Sequence, residues 1–503
     1  MKYTIFSQFE SSFLYSGNLA IVLDYANEMA EQGHQISLVY CDSKLHHTCW
    51  HNMSSDKSIC RICMKYRKLL LKQLHPNITI IPVSAYKNRI QTHDKYEWGT
   101  IESLKKIEYR GVKIGYAVLS SYLTMSRNLN PLIDKDFVQY VNTQLALTSD
   151  YTDLANAIIE DTTPNVVAAY NARFVYARPI IDTAVRLGIK HLCYETAYNL
   201  ENKQVKITYD ITPHSVEGNT KIVNRLWESN KIPLEQKIKI AEKFFYNRKH
   251  SIKAGDKLYV KDQVLGMLPE HFDESKHNIL ILNSSEDEFA AIGDEFRDKS
   301  LFPNQLEGIR YIADHYKDRK NFHFYLKIHP NLKDIPYRYH TDLLKKFNNY
   351  DNFTVIPGNS PISTYSLIDH CNKVIVFNST TGPEAAYWGK PVILLSYCYY
   401  SLLDICYTPA NLEQLDEYIL NQSLPPKEKL GTLKFAYSRL NNEFDELKYY
   451  KYDNIQVKFL GKHFQLCVYK TNFFRKMYAI ILQIIGKRRY YKKLWFPTKE
   501  NPE

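Results

Sequence analysis

A chain of 503 residues is longer than one hydrophobic core organises, so two domains are expected and three are possible. With 45% hydrophobic and 24% charged residues it has the balance of a globular protein, which excludes a disordered or fibrous chain. The formal net charge of +11 favours anionic company, namely nucleotides, pyrophosphate-linked lipids, an acidic membrane surface or nucleic acid, and does not choose among them.

Met1 runs straight into the apolar run KYTIF, without the cationic and then apolar segment of a secretory leader. No stretch approaches the roughly 20 apolar residues of a membrane span. Nine cysteines, an odd number scattered through a large chain, fit a reducing compartment better than a disulfide framework. A cytoplasmic body is the expectation.

Lys2–Phe6 predicts a first strand, about Leu19 to Gln32 a helix stopped by Gly33, and Gln35–Tyr40 a second strand. A β-loop-α-β opening of this kind starts a doubly wound nucleotide-type domain, although it lacks G-x-G-x-x-G. Next come Cys41, Cys49, Cys60 and Cys63, with His46, His47 and His51 among them. Cys60-x-x-Cys63 has the spacing with which two thiolates share a metal, and all four could close a structural zinc site. Two small buried thiols would give the same spacing.

Residues 65–113 are basic and hold one clear strand, LHPNITIIPV, and 134–160 predict a long helix. The strand 165–170, the turn Asn171-Ala172-Arg173, a helix 174–187 and the strand 189–194 follow, with Glu195 where that strand is expected to stop. Chemistry in open α/β sheets lies beyond the carboxyl ends of the strands, which aims Asn171, Arg173 and Glu195 at one crevice. A carboxylate there with apolar neighbours can serve as a general base. It could equally pair with Arg173 or cap the next segment.

Residues 201–250 add a loop and the charged helix PLEQKIKIAEKFFYNRKH, so the first domain is read as 1–250 and the polar stretch 251–277 as a link. The second domain, 278–470, opens with strand NILILN and the polar turn Ser284-Ser285-Glu286-Asp287-Glu288. A helix near 304–316, the strand FHFYLKIHP ending in Lys327 and His329, a helix 336–348, strand FTVIP and a short helix 362–370 lead on. The alternation predicts a second parallel sheet.

Its central stretch is CNKVIVFNSTTGPEAAYWGKPVILL, residues 371–395. An apolar strand runs into the turn Asn378-Ser379-Thr380-Thr381-Gly382, then a helix starting near Pro383 and Glu384 and stopped by Gly389, then another strand. The helix start would offer N–H groups and a positive dipole end to a phosphate, with Lys327 and His329 as two further positive elements. Thr381-x-x-Glu384 also reads as a simple capping box.

The tail, 471–503, carries eight Lys and Arg against two Glu around MYAIILQII, followed by Tyr490, Tyr491, Trp495 and Phe496. Such a segment suits the surface of an anionic membrane. A helix packed back across the first domain with its charges solvated is the alternative.

In order, Tyr170-Asn171-Ala172-Arg173-Phe174, Tyr194-Glu195, Asn283-Ser284-Ser285-Glu286-Asp287-Glu288-Phe289, Lys327-Ile328-His329-Pro330 and Asn378-Ser379-Thr380-Thr381-Gly382-Pro383-Glu384-Ala385 resemble the bacterial capsule-polysaccharide biosynthesis glycosyltransferases. The resemblance implies the GT-B architecture, two Rossmann-like doubly wound domains facing a central cleft, with the acceptor on the first and the donor nucleotide on the second. Ala172 departs from the glycine usual in that turn, and Pro383 replaces a less rigid residue. The reaction implied is sugar transfer from a nucleotide-sugar to a surface glycan, with no metal required. Ser379, Thr380, Thr381 and Gly382, with Lys327 and His329, would hold donor phosphates, Ser284 and Ser285 would line the same pocket, Glu384 would contact the ribose, and Glu195 would take the acceptor proton if the reaction inverts configuration, a role that disappears in a retaining one. A sugar-nucleotide epimerase of the same architecture and a non-catalytic scaffold of a polysaccharide assembly complex are the alternatives. Nucleic acid is disfavoured, because the cations do not alternate with aromatics along a strand face.

Overall fold

The computed structural model describes residues 1–7, 16–45, 49, 56–198, 204–252, 260, 262–440, 443, 444, 446–450, 452–459, 462–469, 472–493 and 496–502. The first sheet holds β1 (Lys2–Phe6), β2 (Gln35–Tyr40), β3 (Ile78–Pro82), β4 (Val166–Tyr170), β5 (Lys190–Tyr198) and β6 (Gln204–Tyr209). Their spatial order is β3-β2-β1-β4-β5-β6, all parallel except the edge strand β6. The second sheet holds β7 (His277–Leu282), β8 (Phe322–Lys327), β9 (Phe353–Ile356), β10 (Lys373–Val376) and β11 (Val392–Leu394). Its order is β11-β10-β7-β8-β9, parallel throughout.

Each sheet begins at its centre, grows to one side, then crosses over and grows to the other. The crossing points, between β1 and β4 and between β7 and β10, open the crevices in which such sheets bind ligands. Two Rossmann-like domains are therefore present, as the alternation of strands and helices required. Ile279, Leu280 and Ile281 are all fully buried, because a parallel sheet with helices on both faces leaves neither face to water.

Local chemistry sets the helix ends. The Asp134 carboxylate accepts from the N–H groups of Asp136 and Phe137 and starts the 28-residue helix Lys135–Thr162. Thr163, at φ 43°, and Pro164 stop it. The helix expected from 174 begins only at Arg178, with Pro179 in its first turn. The helix expected over 336–348 is a series of short turns, Arg338–His340, Asp342–Lys345 and Lys346–Asn349.

Two boundaries differ from the sequence reading. Helices Val216–Glu228 and Leu234–Lys249, read as the end of the first domain, pack in the second: Val223, Leu226, Ile240, Phe244 and Phe245 share a core with Leu280, Val374 and Ala385. Their apolar faces complete the cover over that sheet, which periodicity alone cannot assign to one domain or the other. The chain then returns. A hairpin of β12 (Tyr452–Phe459) and β13 (Lys462–Tyr469), read inside the second domain, adds Leu466 to the first-domain core beside Leu447 and Tyr450. The expected tail is the helix Phe473–Lys493, which buries Ala479, Leu482 and Tyr490 in that same core. Gln483 Nε2 donates to Tyr66 Oη at 2.6 Å within this contact.

Candidate active site

At the end of β4 the chain turns through Asn171 and Ala172 at φ 63° and 71°. Left-handed backbone costs an alanine about 1 kcal/mol relative to glycine, so the turn holds strain at Ala172. The Asn171 side-chain amide donates to Glu195. The strand does not stop before that glutamate as expected. It continues to Tyr198, and Glu195 lies opposite Ile207 of β6. Burial pushes the Glu195 carboxyl up to about 7, while the Asn171 and Tyr170 hydrogen bonds and the Arg173 charge pull the other way.

Arg173 forms no ion pair with Glu195. Its guanidinium lies over the Phe174 ring, 4.7 Å from the centroid, and Nη1 donates to the Glu288 carbonyl of the second domain at 2.6 Å. The three acceptor-side residues thus come together, with Arg173 committed across the domain boundary.

In the second domain, Lys327 and His329 stand at the end of β8. Lys327 is 2% exposed, its one hydrogen bond runs 3.4 Å to the Ser360 carbonyl, and burial lowers its ammonium to about 8. It remains largely charged at pH 7. His329 is anchored by its own N–H on Asn283 Oδ1 at 2.8 Å, and its Nδ1 accepts from the Asn331 N–H at 3.1 Å. Burial, then the neighbouring Arg127 charge, lowers its imidazole to about 4. The ring is neutral at pH 7 with its proton on Nε2, so it offers a hydrogen bond and not the positive charge expected.

The turn after β10 is held from behind. The Tyr400 hydroxyl donates to the Ser379 carbonyl at 2.8 Å, and Asn378 sits at φ 114°. A Cβ on Gly382 would lie 3.0 Å from that hydroxyl and 3.2 Å from Val376 Cγ2, so any larger residue would have to push these side chains aside by a few tenths of an ångström. Two of the four expected phosphate donors are already engaged: Thr381 N–H donates to Ser379 Oγ at 3.3 Å and Gly382 N–H to the Ser379 carbonyl at 3.0 Å. Ser379 and Thr380 keep amides that make no hydrogen bond among the described residues. Ser284 binds Gln305 through its N–H at 2.7 Å, and Ser285 Oγ accepts from Asn331 at 3.1 Å.

Glu384 departs from the capping-box reading. It caps nothing at the helix start, and it is 1% exposed, with one oxygen accepting from Arg248 Nε at 2.6 Å and the other from the Tyr365 hydroxyl. Both oxygens are engaged and the carboxylate is closed off from solvent in this conformation. Its partner Arg248 comes from the charged helix Leu234–Lys249.

Arg127 carried no signal in the sequence and joins the two halves. It follows the helix Ile114–Ser126 at φ 61°. Nε and Nη2 grip Asp287 at 2.8 and 3.2 Å, Nη2 also reaches Ser285 Oγ at 3.3 Å, and Nη1 donates to the Asn331 carbonyl at 3.1 Å. Arg178 adds a bond to the Ile292 carbonyl at 2.7 Å. Three arginines of the first domain therefore hold the 285–292 loop of the second, and Arg127 also ties it to Asn331, whose N–H donates to His329 Nδ1. Within that loop Glu286 is buried, accepts from Tyr339 and Gln305, and is raised to about 7 by burial.

Of the four cysteines, Cys41 lies near Cys60 and Cys63. Cys60 and Cys63 lie on the helix Lys57–Leu71, Cys63 packs against the first-domain core, and burial pushes the Cys41 thiol up to about 11. No three His, Cys, Asp or Glu side chains among the described residues are placed to hold a metal ion. His46, His47 and His51 lie outside the described residues.

Two facing Rossmann-like domains with a polar strand-end junction define the GT-B class of architecture. The family comparison is more specific: residues 205–429 match the family of capsule polysaccharide biosynthesis proteins, a span that contains the second-domain motifs. The resemblance read from those motifs is borne out there. No curated protein matches the chain. Among solved structures, KpsC of Thermosulfurimonas dismutans, a beta Kdo 2,4 transferase, is 15% identical, with 54% of this chain and 78% of that one covered at a TM-score of 0.35. The UDP-GlcNAc 2-epimerase of Neisseria meningitidis bound to UDP-GlcNAc is 10% identical, with 86% and 98% covered at 0.27. The assignment of fold rests on strand order and not on these likenesses.

Proposed function

We propose that this protein transfers a sugar from a nucleotide-sugar donor to a growing surface glycan of the capsule or lipopolysaccharide type, without a catalytic metal. The observation that carries the reading is a half-buried carboxylate on β5 raised to about 7, with a lysine and a neutral histidine at the end of β8 in the other domain and arginine bonds that hold the two domains together. Glu195 takes the proton of an acceptor hydroxyl. That oxygen bonds to the anomeric carbon as the bond from carbon to the donor phosphate oxygen breaks, and the nucleotide leaves with the electron pair. The Lys327 ammonium, His329 Nε2–H and the free amides of Ser379 and Thr380 receive the charge that develops on the phosphate. Ser284 and Ser285 shape the same wall, Asn171 orients the base, and Arg173 braces the domain boundary beside it. Glu384 acts on the donor only by leaving Tyr365 for the ribose.

No described helix is long and apolar enough to cross a membrane. A place on the inner face of the cell membrane, next to a lipid-linked acceptor, belongs to the proposal. The test is release of nucleoside diphosphate from a panel of sugar nucleotides, with and without glycan acceptors. Acceptor-dependent release is expected. Conversion of the donor with no acceptor present would establish the epimerase instead. His329→Ala should weaken nucleoside-diphosphate binding about tenfold or more in a thermal-shift titration, and unchanged affinity would move the donor to another pocket.

A further inference from the structure

The docked tail helix Phe473–Lys493 is apolar on two opposite sides. One side is buried against the first domain. On the other, Phe474, Tyr478, Ile481 and Ile485 recur at helical spacing and are 83, 42, 47 and 41% exposed. The helix carries seven Lys and Arg and no acidic residue.

The helix it packs against, Lys57–Leu71, has the same charge character, with five Lys and Arg and no acid. Its buried residues are Ile59, Ile62, Tyr66, Arg67 and Leu70, which turns Lys57, Arg61, Lys65 and Lys68 outward along one face. None of these four forms an ion pair among the described residues. A groove of about 430 Å³ runs along them, with Cys60 and Met64 in its lining. The cysteine spacing within this helix pointed to a metal or to two small buried thiols, and not to its cationic face.

We propose that these two helices together form the membrane-seating surface of the protein, with an anionic phospholipid bilayer as the occupant. The outward apolar stripe enters the boundary between head groups and acyl chains, and the cationic face of Lys57–Leu71 takes lipid phosphates in its groove. Charge complementarity selects this occupant: twelve cations and no carboxylate lie on two packed helices, beside apolar side chains that water does not favour. The inference deepens the membrane placement above and assigns it to two segments far apart in sequence.

The test is co-sedimentation of the full chain with vesicles of phosphatidylcholine containing phosphatidylglycerol, and with phosphatidylcholine alone. Binding only to the anionic vesicles, weakened by added salt, is expected. The exposed triple change Arg61→Glu, Lys65→Glu, Lys68→Glu should lower it by well over about tenfold, since each cation near a charged surface contributes roughly fivefold. Phe474→Ser with Ile481→Ser should weaken binding at every salt concentration. Exposed Lys317→Glu with Lys320→Glu on the second domain should leave it unchanged. Wild-type binding by the triple variant would overturn the proposal, and so would equal binding to neutral vesicles. Self-association without vesicles that Phe474→Ser abolishes would also overturn it, by naming a second copy as the occupant. Nucleoside-diphosphate binding measured in parallel separates failure here from failure of the transferase reading.

Discussion

Replacing Glu195 with glutamine separates activity from stability. The carboxyl moves from an ordinary value of 4.5 up to about 7 in the folded protein, chiefly through burial. A raised carboxyl binds its proton more tightly when folded than when unfolded. Its contribution to stability is therefore complete below about pH 4.5 and is lost as pH rises through about 7. At about 1.4 kcal/mol per pH unit, holding the ionised form in place at pH 8 costs roughly 3 kcal/mol. Glutamine keeps the volume and an acceptor for the Asn171 amide, and it never ionises. Glu195→Gln should therefore melt higher than wild type at pH 8, by up to a few degrees, and match it at pH 5. Turnover should fall roughly a hundredfold or more with donor binding retained, and the rise of wild-type kcat/KM through about pH 7 should disappear. Differential scanning calorimetry at the two pH values and initial rates across the range check both halves. A variant less stable than wild type at pH 8 refutes the burial argument, and undiminished turnover refutes the role as base.

Arg127→Ala strips Asp287, whose side chain is 4% exposed, of its cation. The 284–294 loop should exchange amide hydrogens faster and the radius of gyration in solution should grow as the domains part; if neither changes, Arg127 is not what keeps them together. Glu384→Gln leaves Arg248 buried beside a neutral group, their side chains being 1% and 9% exposed. A loss of about 3–5 kcal/mol is expected in urea unfolding followed by tryptophan fluorescence, and a loss under about 1 kcal/mol would mean that water reaches the pair.

Much of this architecture could be read from the chain. Apolar runs broken by turns and helical spacing announced both sheets, because each run must bury both faces and each helix one. The ends of β4, β8 and β10 were legible as well, since polar residues directly after a buried strand have only the crevice to occupy. Glu384 was misread because its partner Arg248 stands 136 residues away, and a buried ion pair leaves no local pattern. His329 was taken as a cation because its type is visible in sequence and its burial is not.

The sequence by itself determined the strand-helix alternation, the two sheets and the turns that close them, all consequences of periodicity and local backbone preference. Only the tertiary structure decided that Arg127 would clasp Asp287, that helices 216–249 would cover the second sheet, and that the tail would return to the first. Those outcomes depend on which apolar faces and buried charges meet across long chain separations, and no window of sequence contains both partners.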